Sequence, residues 1–185
     1  MEIKTKNLIL RKARKEDLED IYNNVWCDEN LANNMLWKVN SNIQEAKERL
    51  EKTIEYQKDN YAFFVALREN NIPIGFAGIL GNSHGIYEET GICISSKFQG
   101  RGFGKEVLLA LETLVFDKLK GSKFIYGCFR ENEISKRLCL SQGFKYLNSK
   151  TILREHDKTE HLVDYYYLNK ESYTLNHANK IRKTK

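Results

Sequence analysis

No stretch of this 185-residue sequence approaches the roughly 20 consecutive apolar residues that cross a bilayer. The opening MEIKTKNLILRKARKED lacks the apolar segment and cleavage site of a secretory signal. These absences argue against a membrane partner and place the chain in the cytoplasm as an expectation. The four cysteines, Cys27, Cys93, Cys128 and Cys139, show no CxxC pairing and no histidine at metal-ligand spacing. They read as reduced thiols, with no metal site. The single proline, Pro73, sits at the start of a candidate strand, where its missing N–H does least harm. There is no internal repeat, linker or low-complexity segment.

A surplus of one charge sign is almost absent from the body of the chain. The net charge is +5, but Lys180, Arg182, Lys183 and Lys185 all fall in the last ten residues, so the rest carries a net charge near +1. That basic tail has no apolar periodicity and reads as a solvated terminus, with an accessory contact to an anion such as RNA as the alternative. Composition alone does not make the chain a nucleic-acid binder.

What is present builds a core: 41% of residues are apolar and 11% aromatic. The length fits one domain, expected over residues 1–175 with a flexible basic tail at 176–185, in a monomer or homodimer. Ile3 to Ala13 alternates as a first strand. Leu18, Ile21, Tyr22, Val25 and Trp26 form one stripe of a helix. Ser41-Asn-Ile-Gln44 has the S-x-x-Q pattern of a capping box opening a second helix that runs to about residue 57. Residues 61–67 are apolar on both faces, as in an interior strand. Strands follow at 74–80 and 86–95, then a helix at 105–120 closed by Gly121 at its C′ position. A strand at 124–128, a short helix at 133–142 ending at Gly143, and strands at 146–153 and 162–168 complete the order. Helices and strands interleave without strict alternation, which predicts an α/β (α+β) fold with a mixed sheet flanked by helices.

The chemistry concentrates between the 86–95 strand and the 105–120 helix, in Gln99-Gly-Arg-Gly-Phe-Gly104. Gly100, Gly102 and Gly104 let backbone N–H groups approach a ligand. The helix N-terminus adds a positive dipole end, and Arg101 and Lys105 add full charges, so the stretch is suited to an anion. A strand, glycine loop and helix also describe dinucleotide and nucleotide sites. The glycines run GxGxG rather than GxGxxG, and no GxxxxGK[ST] is present, which disfavours both.

The stretch Glu89 to Phe144 resembles motifs A and B of the GNAT superfamily of N-acetyltransferases, whose Q/R-x-x-G-x-G/A signature is matched by Gln99, Gly102 and Gly104. The run ETGICISSKFQGRGFGKE, the run from Asn132 to Phe144, the opening Leu8-Ile-Leu-Arg-Lys-Ala13 and the closing Val163-Asp-Tyr-Tyr-Tyr-Leu168 resemble the branch of ribosomal-protein N-terminal acetyltransferases. The resemblance covers residues 1–173 and implies a mostly antiparallel sheet of about seven strands with about four helices. It implies acetyl-CoA as co-substrate. The backbone of Ile92, Cys93 and Ile94 would pair with the pantetheine arm, and Gln99, Gly100, Arg101, Gly102, Phe103, Gly104 and Lys105 would form the pyrophosphate loop. Asn132 would bond the pantetheine, a role compatible with capping the 133–142 helix.

An amine must be neutral to attack, while a lysine-type amine has a pKa near 10.4 and an N-terminal one near 8. A base is therefore needed. Glu89 stands where this branch often carries a glutamate near the acceptor; the plainer reading is a solvated carboxylate beside Glu88. Many members place a tyrosine seven residues after the asparagine. This sequence has Cys139 there, either a proton donor or a packing residue beside the coenzyme sulfur. His156 and His161 read as surface residues. Trp26, Trp37 and Tyr61 are core or line the acceptor site. The acceptor is an amine, a protein N-terminus or a small molecule, and direct transfer without a covalent enzyme intermediate is expected. A coenzyme-A-binding module without catalysis is the alternative.

Overall fold

The computed structural model describes residues 1–183, in two units: Met1–Leu80 with Thr90–Ala110, and Gly81–Glu89 with the chain from Leu111 onward. In the first, β1 (Ile3–Lys4), β2 (Leu8–Arg11), β3 (Tyr61–Leu67), β4 (Pro73–Gly81) and the later half of β5 (Ile86–Ile94) are neighbours in that order. In the second, the early half of β5 is followed by β6 (Lys123–Phe129), β8 (Thr159–Asn169) and β7 (Lys145–Arg154). Every pair whose register is defined is antiparallel except β5 with β6. The mixed, mostly antiparallel sheet agrees with the expectation from sequence.

The first strand divides in two. Thr5-Lys6-Asn7 turns the chain so that Ile3 pairs with Leu10. Glu106 holds this turn: its carboxylate accepts from Thr5 Oγ1 at 2.5 Å, Asn7 N at 2.6 Å and Asn7 Nδ2 at 2.8 Å. Burial would raise the Glu106 pKa, but these bonds outweigh it and hold the carboxyl below its usual value.

Helix α1 begins as a 3-10 turn at Lys15–Asp17, is α-helical over Leu18–Ile21 and widens at Tyr22–Trp26. It buries Ile21, Val25 and Trp26, as its stripe requires. A short α2 (Glu29–Ala32), capped by Asp28 Oδ1, was not expected. Helix α3 (Ile43–Asp59) starts one residue later than the S-x-x-Q pattern suggests: Asn42 Oδ1 accepts from Glu45 N at 3.0 Å, and Glu45 Oε2 accepts from Ser41 N at 2.8 Å. The glutamate three residues after Asn42 decides the register. The interior position of β3 is as read, with β2 and β4 on its two sides and its last five residues buried.

Helix α4 (Phe103–Thr113) runs on through a wider turn at Leu114–Lys118. Its left-handed terminal residue is Lys120, at φ +57°, rather than Gly121. Gly121 is required for a different reason: a Cβ there would lie 2.8 Å from Val115 and 2.9 Å from Tyr87. Helix α5 (Glu133–Ser141) ends as expected, with Gly143 at φ +88°. Helix α6 (Lys170–Lys183) runs into the stretch read as a basic tail, whose last two residues lie outside the described ones. Its Tyr173 stacks on Phe116 at 4.7 Å. No described helix is long and apolar enough to cross a membrane.

Candidate active site

Two stretches carry the expected site residues, one in each unit. In the first, β5 leads into the glycine loop and α4. Ile92 is half-buried, whereas Cys93 and Ile94 are both buried. Gly91, at φ +127°, breaks the simple in-out alternation of the strand just before them. Cys93 packs with Trp26, Phe64 and Leu50, and burial pushes its thiol up to about 12 against the pull of the Arg49 charge. The Cys93 side chain thus belongs to the core, and its backbone is what the strand can offer a ligand. A Cβ at Gly75 would sit 2.0 Å from Cys93 O, so glycine there is a condition of the β4–β5 approach.

The loop itself is tied to the strand end by Gln99 Nε2, which donates to Ile94 O at 3.0 Å. Gly100 and Gly102 take φ of +77° and +79°, and a Cβ on either would meet no protein atom within 4 Å. Protein crowding is therefore not why these positions are glycine. The backbone needs the left-handed region, and the space above it is open. The Glu106 N–H donates to Gly102 O at 3.1 Å. The amides of Phe103, Gly104 and Lys105 precede it, in the turn where helical N–H groups lack intrahelical partners. Arg101 is exposed, with its guanidinium 5.3 Å from the Phe98 ring, and Lys105 is exposed. The arrangement suits a pyrophosphate.

Gly102→Asn separates the two requirements, since asparagine tolerates left-handed φ better than other side chains. The variant should fold, yet its Kd for acetyl-CoA should rise about 10- to 100-fold, the equivalent of one or two lost charge-assisted bonds. Calorimetric titration reads this directly. A Kd within about twofold of wild type would remove the loop from the coenzyme site.

In the second unit, β5 pairs with β6 over only Ile86 to Glu88, opposite Lys123 to Ile125. Glu89 is the next residue, half-buried where Glu88 is exposed. Its charge is felt nearby: burial first, then Glu89, push the Tyr126 phenol well above its usual value, against the bond to Ser135. Tyr126 Oη and Ser135 Oγ are 2.7 Å apart. Asn132 caps α5, its Oδ1 accepting from Ser135 N at 3.0 Å. Its Nδ2 makes no bond among the described residues, so capping leaves a donor for a ligand. Cys139 is fully buried, and its Sγ donates to Lys136 O at 3.2 Å. Burial, with Cys128 and Glu89 adding, drives its thiol up to about 12. His156 is exposed, and His161 is half-buried and stacked on Phe129 at 4.3 Å.

Back in the first unit, a cavity of about 380 Å³ opens between α3 and the strands, lined among others by Trp26, Arg49, Gln57, Phe64, Phe76 and Thr90. Of the aromatic residues singled out from sequence, Trp26 lines it. Trp37 lies 6.3 Å from Phe76, and Tyr61 is half-buried in β3 away from the lining. Arg49 is not among the residues that the sequence marks for a site. Its signal was positional: it falls beside Ala46 and Leu50 on the stripe that α3 buries. Among the described residues, no group of three His, Cys, Asp or Glu side chains could hold a metal ion.

The Acetyltransferase (GNAT) domain model matches residues 7–145. Among curated proteins no sequence matches. A GNAT-family acetyltransferase from Bacillus anthracis superposes with a TM-score of 0.78 at 21% identity, covering 92% of this chain and 99% of that one. A Vibrio cholerae protein named for ribosomal-protein-serine acetylation gives 0.75 at 22% identity, over 91% and 97%. The spermidine N-acetyltransferase of Vibrio cholerae, solved with CoA and spermine, gives 0.74 at 21%, over 92% and 99%. These likenesses show the fold, and the domain match shows the family: this chain belongs to the GNAT acetyltransferases and is an acetyl-CoA-dependent N-acetyltransferase.

Proposed function

We propose that the protein moves the acetyl group of acetyl-CoA to a primary amine by direct attack, with Glu89 as the base. The observation that carries the coenzyme part is the pair of left-handed glycines, Gly100 and Gly102, with open space where their side chains would be. The backbone of Ile92, Cys93 and Ile94 holds the pantetheine as an added strand would be held, and the loop from Gln99 to Lys105 takes the pyrophosphate. Asn132 Nδ2 supplies a further bond.

The amine nitrogen attacks the thioester carbonyl carbon, forming the C–N bond as the C–S bond breaks. The proton lost by the amine passes to the Glu89 carboxylate, directly or through water, and coenzyme A leaves as thiolate. A coenzyme thiol has a pKa near 8.5 by analogy with cysteine. Cys139, held at about 12, is a weaker acid than the group it would protonate, which favours a packing role for it. The thiolate then takes its proton from solvent. Strand N–H groups polarise the carbonyl. Burial argues against Cys93, Cys128 and Cys139 as covalent acyl carriers, since their thiols are held at about 12, 11 and 12.

Among acceptors, the branch resemblance favours an α-amine over a side-chain or polyamine nitrogen. The similar structures named above carry names for a ribosomal protein and for spermidine, so this fold does not by itself select the acceptor.

Acetyl-CoA should raise Tm, because a ligand that binds only the folded state adds about 2.7 kcal/mol at a hundredfold excess over Kd. NADH at the same concentration should add much less, and free thiol should appear when acetyl-CoA is mixed with a panel of amines. Equal stabilisation by NADH, or no thiol release with any amine, would defeat this reading.

A further inference from the structure

The acceptor can be narrowed further on the strength of the first unit alone, and this step rests on the acetyltransferase reading. Arg49 rises from α3 into the cavity described above and brings a full positive charge into aromatic surroundings. Its guanidinium carbon lies 4.7 Å from the Trp26 ring and 4.8 Å from the Trp37 ring. Nη1 donates to Asn40 Oδ1 at 3.1 Å and to Lys38 O at 3.3 Å, which fixes the head in place. Nε and Nη2 donate to nothing among the described residues, and no carboxylate there lies within ion-pair distance of Arg49.

A half-buried guanidinium without an anion is costly, and burial lowers its pKa to about 10 even with Cys93 nearby. Even so lowered, it stays charged at neutral pH. The rest of the lining points the same way. It adds a second cation, Lys52, and no acidic residue. Gln57 is buried and accepts from Ala13 N at 2.6 Å through Oε1, which leaves Nε2 as one more donor. Phe64, Phe76 and Trp26 supply apolar wall. Such a chamber repels a polyamine, which needs carboxylates, and suits a small anion with an apolar body. Thr90, at its edge, is two residues before the Ile92–Ile94 backbone that the coenzyme would use.

We propose that this cavity binds a carboxylate-bearing amine with a bulky apolar side chain, an amino acid rather than a polyamine, and that Arg49 pairs with the carboxylate through Nε and Nη2. The planar fork of five N–H donors suits a two-point grip on a carboxylate, which a lysine could not supply. The apolar body fills the aromatic wall, and the amine is left on the Thr90 side.

Because the chain has two tryptophans, Trp26 and Trp37, and both flank Arg49, intrinsic fluorescence reports occupancy without any turnover. The probes are N-acetyl-L-phenylalanine, which resembles a product, and its carboxamide, which has the same body and no charge. The acid should give a saturable change, and the carboxamide should bind about 10- to 100-fold more weakly, as expected for a lost charged hydrogen-bond pair. Arg49→Gln should remove the difference between the two probes, whereas Lys52→Gln, at the exposed rim, should keep most of it. Equal binding of acid and carboxamide by the wild-type protein overturns the proposal, and this comparison needs no variant to fold. So does the absence of any saturable change in a preparation that acetyl-CoA still stabilises. A transfer assay separates the two ideas. Phenylalanine acetylated in preference to phenylalanine amide and spermidine supports both. Efficient acetylation of spermidine or the amide instead overturns only the carboxylate assignment. Binding of the acid probe with no thiol release from any amine overturns the enzyme reading and leaves a carboxylate site.

Discussion

Replacing Glu89 by glutamine is expected to lower kcat by about 10²–10⁴-fold, the usual worth of a positioned general base. The affinity for acetyl-CoA should hardly change, since the coenzyme contacts proposed here are backbone amides and Asn132. The expectation rests on where β5 puts the side chain. Glu89 is the first residue beyond the short β5–β6 pairing, and it is half-buried while Glu88 is exposed. The protonation state around it is otherwise silent near neutrality. Tyr126 is held well above its usual value, and Cys128 and Cys139 are held at about 11 and 12. All three stay protonated through the working range, so none of them supplies an ascending limb in the pH–rate profile. The deficit of the glutamine variant should shrink as pH rises and solution supplies neutral amine. Glu88→Gln is the adjacent control and should turn over like wild type. If Glu89→Gln also does so at pH 7 with a confirmed acceptor, the base is elsewhere.

The parts of this molecule that were legible in its sequence are those with a local cause. Tyr61–Leu67 shows as an interior strand because a strand flanked on both sides and buried on both faces has no room for polar alternation. The glycine loop was legible because left-handed backbone at Gly100 and Gly102 leaves its mark as residue type. The features that differ from expectation have distant or competing causes. The break between β1 and β2 depends on Glu106, about a hundred residues away, gripping Thr5 and Asn7. The start of α3 was ambiguous because Ser41 and Asn42 can both cap, and only the Glu45 bonds decide between them. Gly121 stands where a helix cap is expected, but the left-handed turn falls on Lys120 and the glycine serves a close approach to Tyr87 and Val115. Helix α2 spans only four residues, too few for a period to show. Arg49 was invisible as a site residue because a charge on a helix normally faces water. That it meets two indoles, and no carboxylate among the described residues, is a tertiary fact.

The other large effect concerns stability and lies at the start of the chain. Arg11 and Asp17 form a two-point ion pair, Nη1 to Oδ2 at 2.8 Å and Nη2 to Oδ1 at 2.7 Å, with side chains 3% and 6% exposed. Both groups make further bonds. Arg11 Nε donates to Asn71 Oδ1 at 2.7 Å, and Nη2 to Asn71 O at 2.9 Å; Asp17 Oδ2 accepts from Arg14 N at 2.7 Å. One guanidinium thus joins β2, the first turn of α1 and the β3–β4 turn, where Asn71 stands at φ +63°. Removing one partner strands the other charge away from water, which costs about 3–5 kcal/mol in buried pairs. Asp17→Ala should therefore lower unfolding stability by about that amount, and it also deletes the acceptor for Arg14 N. Arg11→Met should show a similar loss. The discriminating result is the double variant, Arg11→Met with Asp17→Ala. Two apolar groups need no counter-charge, so the combined loss should be well below the sum of the single ones. Urea denaturation of the four proteins measures this. A loss under about 1 kcal/mol for Asp17→Ala, the range of an exposed pair, would mean that water reaches Arg11 readily and that the pair does not hold these three segments together.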